Sequence, residues 1–185
     1  MIIGVTGTAG AGKDTFARYL VEKGWKHLSL SDFIREEASE RGLAATRDNL
    51  QNLGNDLREK RGLGALAEKA RKKMRENANY VVTSIRNPAE TKTLAEPGNF
   101  ILVAVSTPLK TRFNRLQKRD GKKGSILPTL QEFKISEARE LESPAPASQQ
   151  LNECIAMADV AVNNDSDIKS FFRKIDGILL GLKTF

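Results

Sequence analysis

The chain has 185 residues, 29% charged and 39% hydrophobic, with a formal net charge of +7 and a single cysteine. That length suits one well-buried α/β domain rather than two. One cysteine excludes an internal disulfide and points to a reducing, cytoplasmic setting. The absence of a Cys/His cluster argues against zinc, and no apolar stretch approaches the ~20 residues of a membrane span.

Ile2-Ile3-Gly4-Val5-Thr6 predicts a first, buried strand, which leaves no room for a signal peptide before it. Gly7-Thr8-Ala9-Gly10-Ala11-Gly12-Lys13-Asp14 follows, and Phe16, Tyr19 and Leu20 then recur at helical spacing. Strand, glycine-rich loop and helix in that order form a phosphate-binding P-loop. Its glycines let successive backbone N–H groups turn toward an anion, and the helix start adds its dipole. Gly7, Ala9, Gly10, Ala11, Gly12, Lys13, Asp14 and Thr15 are therefore expected to hold ATP, with Lys13 reaching the β- and γ-phosphates. The pattern G-x-x-x-x-G-K-[ST] is missed at its last place, where Asp14 stands and Thr15 follows. Either can hold Mg²⁺, Asp14 directly or through a water, and nucleotide affinity is then expected to depend strongly on the metal.

Lys26 to Ser31 predicts a second strand, with the lone His27 on the surface; Ser31 or Asp32 caps the helix after it. Helices are expected to Gly42, from Thr46 or Asp48 with Leu50, Leu53 and Leu57 on one face, and from Ala65 to Asn77. The strand-free stretch from Asp32 to Asn79 reads as a helical subdomain between strands. Tyr80 to Ile85 and Phe100 to Val105 predict buried parallel strands, separated by a short helix from Ala89 to Leu94. Pro108 opens a helix bearing Arg112, Arg115 and Arg119, and Lys110 to Lys123 hold seven basic residues, with lysines between Gly121 and Gly124. Gln131 to Glu142 predicts a charged helix, and Ser143-Pro144-Ala145-Pro146 a connector. Gln149 to Ala158 reads as a helix with Cys154 as buried filler, Val160 to Val162 as a last strand, and Ile168 to Leu180 as a closing amphipathic helix. Alternation of this kind means a parallel sheet covered on both faces, with ligand beyond the strands' carboxyl ends, where Gly7, Asp32, Arg86, Ser106 and Asn163 fall.

Arg35, Arg58 and Arg86 lie in or beside the helical stretch, and Arg112, Arg115 and Arg119 share a helix face. Two arginine sets flanking one P-loop suit phosphoryl transfer to a second phosphorylated molecule, because guanidinium forks grip phosphate bidentately and spread transition-state charge. Arg58, followed by Glu59-Lys60-Arg61, equally fits a solvated helix face, and Asp32 equally fits a helix cap.

Ser31-Asp32-x-x-Arg35-Glu36, Ile85-Arg86-Asn87-Pro88, Thr111-Arg112-Phe113-x-Arg115-Leu116-x-x-Arg119 and Ala158-Asp159-x-x-x-Asn163 follow the P-loop in order. Together they resemble the nucleoside monophosphate kinases of the adenylate kinase group over nearly the whole chain. The likeness is nearest to the archaeal adenylate-kinase-related proteins and to deoxynucleotide and dephospho-coenzyme A kinases. It implies a three-layer P-loop NTPase fold with a five-stranded parallel sheet, an acceptor-binding insertion over residues 33–79 and a lid over 118–142. It also implies that Asp32, Arg35, Arg58 and Arg86 hold the acceptor, that Arg115 and Arg119 cover ATP and the transferring group, and that Asn163 lies near the donor base. The catalytic set is then Lys13, Arg86, Arg115 and Arg119.

Adenylate kinases proper carry Gly-x-Pro-Arg where this chain has Ser84-Ile85-Arg86-Asn87-Pro88, and the third strand brings no acid for the metal's outer shell. The expected partners are Mg²⁺, ATP and a phosphorylated acceptor, a (deoxy)nucleoside monophosphate first and dephospho-coenzyme A second, on a monomer or homodimer with no membrane. A hydrolysing switch is a competing reading, but Asn163-Asn164-Asp165 is not a guanine-reading motif and no strand ends in Asp. Nucleic acid is a weaker partner, since the basic segment lacks interleaved aromatics apart from Phe113.

Overall fold

A computed structural model describes residues 1–121, 128–143 and 145–182. Residues 122–127 of the expected lid, among them the lysines bracketed by Gly121 and Gly124, and Pro144 of the connector lie outside the described residues.

Five parallel strands, β1 (Ile2–Thr6), β2 (Lys26–Ser29), β3 (Tyr80–Thr83), β4 (Phe100–Ser106) and β5 (Val160–Asn163), pair in the order β2-β3-β1-β4-β5. The chain builds outward from β1 to one edge, returns through β3, then crosses to β4. The crevice where strand order reverses therefore opens beyond the carboxyl end of β1, where the glycine-rich loop stands. This is the expected three-layer P-loop fold.

Alternate side chains of each strand feed two cores. Ile3, Val5, Val81, Val103 and Val162 pack against α1 (Lys13–Glu22) and α9 (Ile168–Leu182). Ile2, Val82 and Leu102 pack on the other face, beneath α2 (Leu30–Glu40), α3 (Arg47–Arg61), α4 (Ala65–Lys73), α5 (Pro88–Ala95) and α8 (Leu151–Ala156). The helices α2 to α4 contribute Phe33, Ile34, Leu53, Leu57 and Leu66 to that same core. They are welded to the sheet rather than built around a core of their own. Two more helices, α6 (Leu109–Gly121) and α7 (Leu130–Leu141), complete the described elements.

Several boundaries differ from those the sequence predicts, each for a local reason. Helix α2 starts at Leu30, before Ser31 and Asp32, and its N-cap Ser29 makes no capping bond. The Ser29 hydroxyl is instead bonded to Ser31 and Ser84. Strand β3 stops at Thr83 because Ser84 adopts φ +65°, a left-handed conformation that ends a ladder. Helix α4 ends at Lys73 rather than Asn77, and Asn77 too has positive φ. The predicted Thr46 cap is present, accepting from the Asn49 amide at 3.2 Å. Cys154 is buried filler as expected, its thiol pushed up to about 12 by burial. Among the described residues no helix is long and apolar enough to cross a membrane.

Candidate functional site

The loop from Gly7 to Gly12 is held in shape from below. Gly7 has φ +134° and an added Cβ would fall 2.2 Å from the Val105 carbonyl oxygen; Gly12 has φ +111° and a Cβ there would meet the Asn164 amide at 2.2 Å. No other residue fits either place. Asn164 is buried and donates its Nδ2 to the Ala11 carbonyl at 2.8 Å. The Thr107 hydroxyl lies 3.0 Å from both the Ala11 and Asn164 carbonyls. Gly12 is also the N-cap of α1 and has no side chain to satisfy the first-turn amides, which leaves that turn suited to an anion.

Lys13 lies across this loop, its Nζ donating to the Gly7 and Thr8 carbonyls at 2.7 and 2.8 Å. Burial and the neighbouring Arg86 charge pull its pKa down to about 8, against the opposing pull of Asp14 and Glu140. An ammonium that is partly desolvated and poorly compensated is prepared for a phosphate. Asp14 is exposed on the first turn of α1.

A cleft of about 620 Å³ runs from the loop toward α2 and α3. Of the predicted site residues, Ala9, Gly10, Lys13 and Asp14 line it on the side of the glycine-rich loop. Asp32, Arg35, Arg58, Arg86 and Arg119 line it elsewhere. Gly7, Ala11, Gly12, Thr15, Arg115 and Asn163 are not among its walls.

The arginines have divided their work. Arg58 is neither solvated nor free: it is 2% exposed, and its Nε donates to Glu90 at 2.8 Å. Glu90 in turn accepts from the Arg86 and Asn87 amides as part of the α5 capping box. Arg35 reaches Ser31 and Asp32 on its own helix, at 2.7 and 3.1 Å. Arg112 and Arg115 both turn toward Thr107, and Arg112 is the more deeply placed. Arg112 is buried, donating to the Thr107 and Ala9 carbonyls and to Glu137 of α7. Arg115 turns to the Asn164 carbonyl at 3.0 Å, and Arg119 pairs with Asp120 on the exposed surface. The Asn163 side chain bonds Asp165.

Arg86 of the β3 exit donates from one Nη1 to Glu140 of α7 at 2.6 Å and to Gln149 at 2.7 Å. The same Glu140 carboxylate accepts from Arg47 at the start of α3. Burial opposes ionisation of Glu140, but Arg86 and Arg47 outweigh it and hold the carboxyl below its ordinary value.

Sequence reasoning missed Arg47, Glu140, Gln149 and Asn164, and the three hydroxyls of Ser29, Ser31 and Ser84 that meet within 3.3 Å at the β2 and β3 exits. His27 is exposed, as the sequence predicts, and it also faces the cleft. The ring lines the cleft and is hydrogen-bonded to Thr83 at 2.8 Å. Burial lowers its pKa, with Asp32 and Asp14 pulling the other way. The two aromatic residues of the helical stretch available for stacking in sequence terms, Phe33 and Tyr80, are each 3% exposed and belong to the core. Phe113 and Phe133, with ring centroids 5.8 Å apart, line the cleft from α6 and α7.

Comparison with known proteins gives this geometry its setting. The AAA domain family profile matches residues 3–142. The chain is 32% identical over 186 residues to a UPF0200 protein of Thermococcus onnurineus, covering 97% of this chain and 96% of that one. It is 34% identical over 187 residues to a UPF0200/UPF0201 protein of Archaeoglobus fulgidus, of whose length it spans 55%. Among solved structures, shikimate kinase from Acinetobacter baumannii superposes with a TM-score of 0.53 at 17% identity, covering 97% and 93% of the two chains. A gluconokinase from Sinorhizobium meliloti superposes with a TM-score of 0.57 at 18% identity, covering 98% and 91%. The fold is thus that of the P-loop small-molecule kinases, and the chain belongs to the UPF0200 family, with an AAA domain over most of its length.

Proposed function

We propose that this protein is an ATP-dependent phosphotransferase that moves the γ-phosphate of ATP to a phosphorylated small molecule, a (deoxy)nucleoside monophosphate being the first candidate. One observation carries the reading. The P-loop lysine and arginines from three distant segments, Arg35, Arg47 and Arg86, line a single cleft. A switch or simple hydrolase needs cations at one end of such a cleft; a transferase needs them at both.

In this reading Lys13 and the first-turn amides of α1 bind the donor phosphates. Arg86 and Arg35 hold the acceptor. Arg119 covers the transferring group, and Arg115 secures the turn beyond β5 under the donor. Arg58 serves the acceptor from behind: with Glu90 it fixes the Arg86 backbone. The insertion over 33–79 carries the acceptor wall and the segment over 118–142 covers the donor. Positioning and charge neutralisation supply the catalysis, and water exclusion by these walls disfavours hydrolysis.

The donor set fits Mg²⁺. Asp14 is an exposed carboxylate on the cleft wall next to Lys13, whereas Thr15 is not on that wall. Among the described residues no group of three or more acids, histidines or cysteines forms a cage. A single carboxylate suits an ion that arrives on nucleotide phosphates. Asp14 would hold such an ion, which would supply neutralisation of the phosphate charge.

A second acceptor class is favoured by one observation: Phe33 and Tyr80 are buried, so the insertion offers a base no aromatic platform among them. A hydroxylated acid of the kind that the shikimate kinase and gluconokinase names denote carries no base and fits that absence; dephospho-coenzyme A, which carries an adenine, stays in the test as the alternative acceptor. The test is steady-state turnover with Mg-ATP against all ribo- and deoxynucleoside monophosphates, dephospho-coenzyme A, shikimate and gluconate, with products identified by mass. The reading predicts ADP and one phosphorylated acceptor. ADP and free phosphate with every acceptor would replace it with the hydrolase reading.

A further inference from the structure

In the cleft, two arginines converge on a carboxylate that belongs to the protein itself. Glu140 is 4% exposed on its side chain, while Arg86 and Arg47, which grip it, are 27% and 46% exposed. The three residues come from different elements: the start of α3, the β3 exit and the last turn of α7. Gln149 takes the second bond of the Arg86 Nη1. All four line the cleft that Lys13 also lines. The Lys13 ammonium feels both Arg86 and Glu140, so the cluster faces the P-loop lysine within the cleft.

From this geometry we infer that Arg47 and Arg86 form an oxyanion site which Glu140 fills in the acceptor-free protein, and that a phosphate monoester dianion takes the place of Glu140. A carboxylate carries one charge and two acceptor oxygens. A phosphate monoester carries nearly two charges and three. Two guanidinium forks that already converge on one anion grip the larger one better. They cannot serve both, because a buried carboxylate beside a dianion is strongly repelled. Arg47 is thus a further acceptor-binding residue, and Glu140 sets a threshold: weakly charged acceptors fail to displace it.

The swap has a mechanical consequence. Glu137, one turn earlier on α7, pairs with Arg112, which donates to the P-loop carbonyl of Ala9. Helix α7 therefore carries two acidic prongs, Glu137 on the donor loop and Glu140 in the acceptor site. Displacing Glu140 releases the last turn of α7 while Glu137 keeps its hold. The acceptor's identity here rests on the phosphotransferase reading; the anion site does not.

The test uses inorganic phosphate and the full chain. Phosphate is titrated into wild type, Glu140→Gln and Arg47→Ala, with affinity read by calorimetry and amide hydrogen exchange followed over residues 138–141. Wild type is expected to bind phosphate and to exchange faster in that turn as it binds. Glu140→Gln is expected to bind about tenfold tighter, a gain of about 1.4 kcal/mol, with exchange insensitive to phosphate. Arg47→Ala is expected to lose the exchange response, whatever binding it retains at the P-loop. The inference is overturned if phosphate leaves the α7 turn unchanged in wild type, if Arg47→Ala responds as wild type does, or if Glu140→Gln binds no tighter. Phosphate displacement of Glu140 without any turnover would keep the anion site and remove the phosphotransferase reading. Turnover without displacement would do the reverse.

Discussion

The proposed donor and acceptor ends of the cleft are built by opposite means. At the proposed donor end, one continuous loop and the start of α1 supply Ala9, Gly10, Lys13 and Asp14, and Asn164 and Thr107 hold that loop from beneath. At the proposed acceptor end, Arg47, Arg86, Glu140 and Gln149 meet through bonds between residues 54 to 93 positions apart. Backbone conformation makes the first site; side-chain ion pairs make the second. A site of the first kind is committed to one ligand chemistry. A site of the second kind can be re-aimed by a few substitutions, which fits a fold whose relatives' names cover different acceptors.

The sharpest way to test that contrast is at the donor end. Lys13→Ala removes the only side-chain charge of the loop that reaches the phosphates and is expected to lower phosphoryl transfer by about 10²–10³-fold in a coupled assay. Near-wild-type turnover would mean that the loop is a scaffold and not a donor site.

At the acceptor end the largest effect should be on folding rather than rate. Arg58→Met leaves Glu90 buried with its partner gone and is expected to cost about 3–5 kcal/mol in urea denaturation. A cost below about 1 kcal/mol would mean that water reaches the pair and that the acceptor wall is looser than described.

Asn164 allows a finer cut. Replacing it by Ala removes the bond to the Ala11 carbonyl and should cost about 1–3 kcal/mol. Nucleotide KM should rise more than acceptor KM, because the lost support lies under the donor loop. Equal changes in both would erase the distinction between the two ends.

The smallest effect is the pH dependence of the Glu140 contact. Its carboxyl is held below the unfolded value of 4.5, so its contribution to stability is fully present above pH 4.5 and is lost as pH falls through the lower native value. The unfolding free-energy difference between wild type and Glu140→Gln should be constant above that pH and shrink below it. A difference that shrinks near neutral pH instead would point to another titrating group.

The same contrast explains what the sequence could reveal. The strands, the P-loop and Thr46, one of two candidate caps, were legible because each is written in a short window. Arg86 was legible as a residue of the cleft because it directly follows a strand. Arg47 and Glu140 were not, since each lies on a charged helix and looks solvated until the fold brings 47, 86 and 140 together. Arg112 shows the converse. Its spacing with Arg115 and Arg119 predicted a shared helix face, but not that Glu137, 25 positions away, would draw it into the interior. Asn163 and Asn164 are neighbours in sequence, but only Asn164 turns inward to the loop, and strand alternation alone could not say which.

The central claim is that a phosphate passes between two bound molecules rather than to water. Turnover of γ-³²P-ATP with the best acceptor, followed by separation of the products, tests it most directly. The account predicts that the label appears on the acceptor in proportion to ADP formed, and that little free phosphate accumulates. Label found as inorganic phosphate, at a rate indifferent to the acceptor, would contradict it.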